Sequence, residues 1–109
     1  MPTAAEVFME INNRLTADPS KVKGMNAVYA FDLGDAEDGG QYHINLKDGS
    51  PPDVGAGAPE NPNITITMKP SDFVDLATGK LDGTMAFMSG KIKIKGDMGL
   101  AMKLQSVLR

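Results

Sequence analysis

Four runs of this chain alternate apolar and polar residues with a period of two, and all of them lie between an opening and a closing segment of helical periodicity. That grouping constrains the fold more than any other feature. From Ala27 to Leu33, the residues Tyr29, Phe31 and Leu33 share one face. From Tyr42 to Lys47, the residues Tyr42, Ile44 and Leu46 point inward while His43, Asn45 and Lys47 face water. Ile64, Ile66 and Met68 alternate with Thr65 and Thr67. The run Lys91-Ile92-Lys93-Ile94-Lys95 is strictly alternating, three lysines out and two isoleucines in, and its lysines suit an edge strand because they discourage pairing with other chains. Asp38-Gly39-Gly40 marks a hairpin between the first two runs. The Gly/Pro-rich stretch from Asp48 to Pro62 reads as loop, with room for one short edge strand around Pro52–Ala56.

The helical segments have their own start and stop signals. Thr3-Ala4-Ala5-Glu6 is a capping box, followed by Val7, Phe8, Ile11 and Leu15 at helical spacing until Asp18-Pro19. Pro70-Ser71-Asp72 opens a short helix carrying Phe73, Val74, Leu76 and Ala77, and Gly79 is its natural C-terminal cap. Leu81, Met85 and Met88 fit one further short helix, and Asp97 caps a last one that runs to about Leu108. Strands grouped rather than interleaved with helices indicate one α+β domain, residues 1–109, with a largely antiparallel sheet.

Composition removes several function classes. A net charge of −3 argues against nucleic acid as the main partner, since phosphate binding requires a basic face. The absence of Cys excludes disulfides, zinc ribbons and thiol nucleophiles. The single His43 lies on the outward face of its strand, away from any nucleophile, and no acidic cluster has metal-ligand spacing. Gly90-Lys91 is followed by Ile92 rather than Ser or Thr, so it is not a phosphate loop. Gly96-Asp97-Met98-Gly99 follows a strand and carries an acid, unlike the nucleic-acid-gripping G-x-x-G turn. The expectation is a chain with no catalytic residues, metal or cofactor. No apolar run spans a membrane and Met1-Pro2-Thr3-Ala4 does not open a signal peptide, which points to the cytoplasm.

The closing helix carries more apolar surface than a sheet can cover. On a helical wheel, Met98, Leu100, Ala101, Met102, Leu104, Val107 and Leu108 occupy an arc of roughly 220°, against about 100° for an ordinary surface helix. The excess must meet a second protein layer, a partner chain or a ligand. Gln105 projects inside that arc, either satisfied by a backbone carbonyl or water, or serving as the lone polar anchor of an apolar pocket. The chain has eight Met against six aromatic residues, and Met85, Met88, Met98 and Met102 all lie near its end. Met packs ordinary cores, and it also lines surfaces that must fit several apolar shapes.

The segment Gly79-Lys80-Leu81 and the run from Ala86-Phe87-Met88-Ser89-Gly90-Lys91 through Asp97-Met98-Gly99-Leu100 to Leu104-Gln105 resemble the C-terminal signature of the sterol carrier protein 2 family. Ile64-Thr65-Ile66-Thr67-Met68 followed by Ser71-Asp72-Phe73 fits the same pattern, as does the capped first helix. The resemblance implies a five-stranded sheet covered on one face by helices. It also implies an apolar tunnel between the layers for fatty acid, fatty acyl-CoA, sterol or phospholipid, closed by the final helix. Combined with inward periodicity, it implies a lining of Phe73, Leu76, Leu81, Met85, Met88, Ile92, Ile94, Met98, Met102 and Leu104, with Gln105 as the polar contact. The expected function is non-catalytic lipid transfer by a monomer or weak homodimer. Lys91, Lys93, Lys95 and Lys103 offer a basic patch for transient contact with anionic membrane lipids. The alternatives are an interaction or dimerisation module that buries the last helix, and an accessory domain presenting acyl substrates to a separate enzyme. Eukaryotic relatives usually end in a peroxisomal Ser-Lys-Leu-like tripeptide, whereas this sequence ends Val107-Leu108-Arg109.

Overall fold

A computed structural model describes residues 3–35 and 39–108, except for the side chains of Lys21 and Gln105. Helix α1 spans Ala4–Ala17, and the Thr3 hydroxyl at its N-cap accepts from the Glu6 N–H at 3.2 Å. Its buried stripe is Ala4, Val7, Phe8, Ile11 and Leu15. Asp18 then closes the helix and starts the 3₁₀ turn Pro19–Val22 by accepting from the Ser20 N–H.

The strands are β1 (Ala27–Asp32), β2 (Gln41–Leu46), β3 (Asp53–Ala56), β4 (Ile64–Thr67) and β5 (Lys93–Gly96). Between them lie α2 (Pro70–Thr78) and α3 (Gly83–Met88), and α4 (Met98–Leu108) follows β5. The sheet order is β3-β2-β1-β4-β5, so β5 is an edge strand, as its lysines suggest. The pairs β1/β2, β2/β3 and β4/β5 are antiparallel, while the central pair β1/β4 is parallel. Asn63 fixes that parallel pair: its N–H donates to the Val28 carbonyl at 2.9 Å and its Oδ1 accepts the Val28 N–H at 2.8 Å.

The hairpin between β1 and β2 is closed by Leu33 N–H to Gly40 O and Gly40 N–H to Gly34 O, both 2.9 Å. Residues 36–38, including the Asp38 of the expected tip, lie outside the described residues. The strand at 91–95 is corrected to Lys93–Gly96. The N–H groups of Lys91 and Ile92 both donate to the Ala86 carbonyl to finish α3, and are therefore unavailable to β4. At Gly96 the backbone φ is +120°, and a Cβ there would lie 2.4 Å from the Asn63 carbonyl oxygen, so only glycine allows β5 to close on β4.

One face of the sheet carries the core. Tyr29, Phe31, Ile44, Ile64 and Ile66 point into it, opposite the buried faces of α1, α2 and α4. At its centre, the Phe8 ring stacks on Tyr42 (4.2 Å between centroids) and on Phe73 (4.4 Å), while Phe31 meets Phe8 edge-on at 5.3 Å. Offset and edge-to-face ring contacts each add about 0.5–1.5 kcal/mol beyond burial, which ties α1 and α2 to the sheet. His43 is on the opposite face, as its periodicity requires, and is half-buried there rather than fully solvated. Its Nδ1 lies 3.0 Å from the Gly57 carbonyl and its Nε2 3.3 Å from the Asp53 carboxylate, because β3 pairs alongside it.

Candidate functional site

Helix α4 is the element whose sequence asks for an extra contact, and its start follows from local chemistry. Asp97 Oδ1 accepts the N–H of Gly99 at 2.8 Å and of Leu100 at 3.4 Å, so the helix begins where β5 ends. Two long-range hydrogen bonds then hold it. The Tyr29 hydroxyl, from the centre of β1, donates to the Leu100 carbonyl at 2.8 Å, and the Arg14 guanidinium of α1 donates to the Leu108 carbonyl. Burial, aided by the negative Asp97, pushes the Tyr29 phenol up to about 12, so it remains a neutral donor at physiological pH.

The apolar arc of α4 is divided. Leu104, Val107 and Leu108 are buried and Leu100 and Ala101 are half-buried, which forms one stripe on the core. Met98 and Met102 continue the arc into solvent, at 48% and 86% exposure. The structure therefore covers one side of the arc and leaves the other uncovered.

The eleven residues that the sequence points to fall into three groups. Phe73, Leu76, Ile92 and Leu104 are buried in the core, and Leu81 and Ile94 are packed against it. Met85 and Met88 on α3, like Met98 and Met102 on α4, face solvent. The side chain of Gln105 lies outside the described residues. Helix α3 is short, and Ala86 is its one buried residue, so its two Met and Phe87 stand on the outside. Two surface clefts stand out, and neither runs along this set. One, of about 700 Å³, lies between the 3₁₀ turn and the β2–β3 connection, with Pro19, Val22, Leu46 and Pro51 among its walls. The other, of about 670 Å³, lies where β1, β4 and α2 meet the start of β5.

Sequence reasoning missed Tyr29 and Arg14 as the anchors of α4. The signal for Tyr29 was present: an inward tyrosine at the middle of a strand must find a partner for its hydroxyl.

The model of the SCP-2 sterol transfer family matches residues 8–109, nearly the whole chain. This chain belongs to that family. Among SCP-2 relatives, it is 46% identical over 104 residues to a hydroxysteroid dehydrogenase-like protein 2 of Xenopus tropicalis, covering 94% of this chain and 24% of that protein. The SCP-2 chain thus spans about a quarter of the length of the curated relatives it matches. Among solved structures, the sterol carrier protein domain 2 of Helicoverpa armigera superposes with a TM-score of 0.74 at 35% identity, over 94% of this chain and 82% of that one. Palmitated SCP2L2 from Aedes aegypti superposes with a TM-score of 0.80 at 26% identity, over 99% and 96% of the two chains. The sheet and helices described above are therefore the SCP-2 fold, and no helix among the described residues is long and apolar enough to cross a membrane.

Proposed function

We propose that residues 1–109 act as one lipid-binding domain that takes a fatty-acyl chain between the sheet and α4 and carries it chemically unchanged. The observation that carries this reading is the divided arc of α4. Its buried stripe is anchored to the core while the half-exposed Met98 and the largely exposed Met102 continue the apolar surface. A ligand under α4 meets the buried stripe, and rotation of the displaced helix about its axis would turn the Met98 and Met102 side toward the same chain. The palmitated Aedes aegypti protein, which shares the fold over 99% of this chain, supports a fatty-acyl ligand.

On this reading Phe73, Leu76, Leu81, Ile92, Ile94 and Leu104 form the inner wall. Met85, Met88, Met98 and Met102 form the adaptable outer wall, with Gln105 as the polar contact. Helix α4 is the gate. It is terminal among the described elements, and opening it requires release of the Tyr29 and Arg14 hydrogen bonds. Burying about sixteen methylenes at roughly 0.8 kcal/mol each supplies about 13 kcal/mol, above most of the association cost of about 4–15 kcal/mol, with poor discrimination between chains of similar length. Catalysis has no part in this reading: His43 is engaged by Gly57 and Asp53 on the face of the sheet away from the helices.

A second reading has one specific observation behind it. The chain matches only 24% of the length of a relative named as dehydrogenase-like, which favours a domain that presents an acyl substrate to an attached or separate enzyme. Both readings require lipid binding. The experiment that tests this shared requirement is titration of the full chain with a fluorescent fatty acid, followed by displacement with palmitate. Saturation at one ligand per chain, reversed by palmitate, supports the proposal. Absence of saturable binding refutes it.

A further inference from the structure

Three lysines from separate elements converge on the cleft of about 670 Å³. Lys69 precedes α2, Lys91 lies in the turn after α3, and Lys93 opens β5. The sequence suggests a row made of Lys91, Lys93 and Lys95 on one strand. The structure breaks that row: Lys91 lies before the strand, Lys95 is not part of the cleft, and Lys69 joins from a segment more than twenty residues earlier. Among the described residues none of the three ammonium groups pairs with a carboxylate; the ion pair seen is His43–Asp53, on β2 and β3. Asp35 also lines the cleft and offsets part of the charge; among the described lining residues, three lysines against one aspartate leave an excess of two positive charges in a chain whose net charge is −3. The floor is apolar, formed by the buried Leu33 and Met68.

We propose that this cleft is a binding site for the phosphate of an amphiphilic ligand. Three like charges around one cavity repel each other, and an anion placed among them removes that repulsion and gains charge-assisted hydrogen bonds from each ammonium. A multiply charged phosphate suits three convergent lysines better than a single carboxylate does. The cleft is also far larger than an inorganic ion, and its Leu33 and Met68 floor suits the carbon chain next to a phosphate. The cleft reaches Gly90, two residues beyond Met88, so a ligand anchored here could extend toward α3. The amphiphilic part of the proposal rests on the lipid-carrier reading, whereas the phosphate part does not.

The test compares lysophosphatidate with a monoacylglycerol of the same chain length, and separately titrates inorganic pyrophosphate, against the full chain and a K69A/K91A/K93A variant. All three lysines are exposed, so the variant is expected to keep its fold, and its thermal unfolding serves as the control. The native chain should bind lysophosphatidate roughly tenfold more tightly than the neutral lipid, the scale of a few solvent-screened charge pairs, and the variant should bind the two alike. The preference should shrink with added salt. Amide shifts at Ser71, Gly90 and Lys91 on adding pyrophosphate show that a free phosphate suffices. Shifts with lysophosphatidate alone assign the site to a lipid headgroup. If neither lipid binds yet pyrophosphate shifts the native chain and not the variant, the cleft stands and the carrier reading falls. Equal affinity of the native chain for both lipids with no pyrophosphate shift, or a preference that survives in the variant, overturns the proposal.

Discussion

Replacing Tyr29 by Phe removes one oxygen from the core and is expected to loosen α4 while the sheet stays in place. The ring remains, fully buried against β2 and β4 through its neighbours Ile44 and Ile64. The loss is the 2.8 Å hydrogen bond to the Leu100 carbonyl. That oxygen still accepts the helix's own i+4 N–H, so the cost is that of one bond and not of an orphaned buried acceptor. A net loss of about 0.5–1.5 kcal/mol follows, and each kcal/mol lowers Tm by about 4–8 °C in a domain near this size. Because the bond anchors a terminal helix, most of the loss should appear locally, as up to about tenfold faster amide exchange in α4 with little change in β1, β2 and β4.

The same substitution has a pH signature. Below pH 10 the phenol is protonated in both folded and unfolded chains, so the full stability is present. Since burial holds the folded Tyr29 up to about 12 against 10.0 unfolded, the unfolded chain releases the proton first, and stability is lost as pH rises through that window. Tyr29→Phe should lack this part of the alkaline loss. Thermal unfolding at neutral and alkaline pH, with exchange mass spectrometry on α4, measures both effects. A variant with native Tm and native α4 exchange would refute the claim that Tyr29 anchors the gate.

Further substitutions separate the framework from the proposed site. Gly96→Ala should destabilise the fold by about 2–4 kcal/mol in urea unfolding, since its Cβ would sit 2.4 Å from the Asn63 oxygen and 2.9 Å from the Ile64 Cα at a φ of +120°. Phe8→Ala removes the ring stacked between Tyr42 and Phe73 and should cost about 3–5 kcal/mol. Met88→Ser with Met102→Ser should change stability by less than about 0.5 kcal/mol each, because these side chains are 80% and 86% exposed, yet weaken fatty-acid binding severalfold by calorimetry.

Much of this architecture could be read from local periodicity. The buried stripe of α1, the inward faces of β1, β2 and β4, and the Gly79 cap of α2 all follow from spacing, since period and capping are properties of a few adjacent residues. What depended on distant partners could not be read in this way. The parallel β1/β4 pairing is set by Asn63 reaching Val28, and the late start of β5 by two amides already committed to Ala86. His43 was legible as outward but not as half-buried, because β3 is short and its pairing leaves no periodic trace. In the candidate site the wheel of α4 correctly flagged an excess of apolar surface. It could not show which side the core would take, and that division left Met98 and Met102 outside. The lysine cleft was illegible because Lys69 and Lys91 come to line one cleft only through the tertiary fold.

The central claim, that this SCP-2 chain carries a fatty-acyl lipid, is tested most directly by native mass spectrometry of the protein as purified, before and after incubation with palmitate. The account predicts a bound species of lipid mass, one per chain, that palmitate replaces. A lipid-free protein that takes up no palmitate would contradict it.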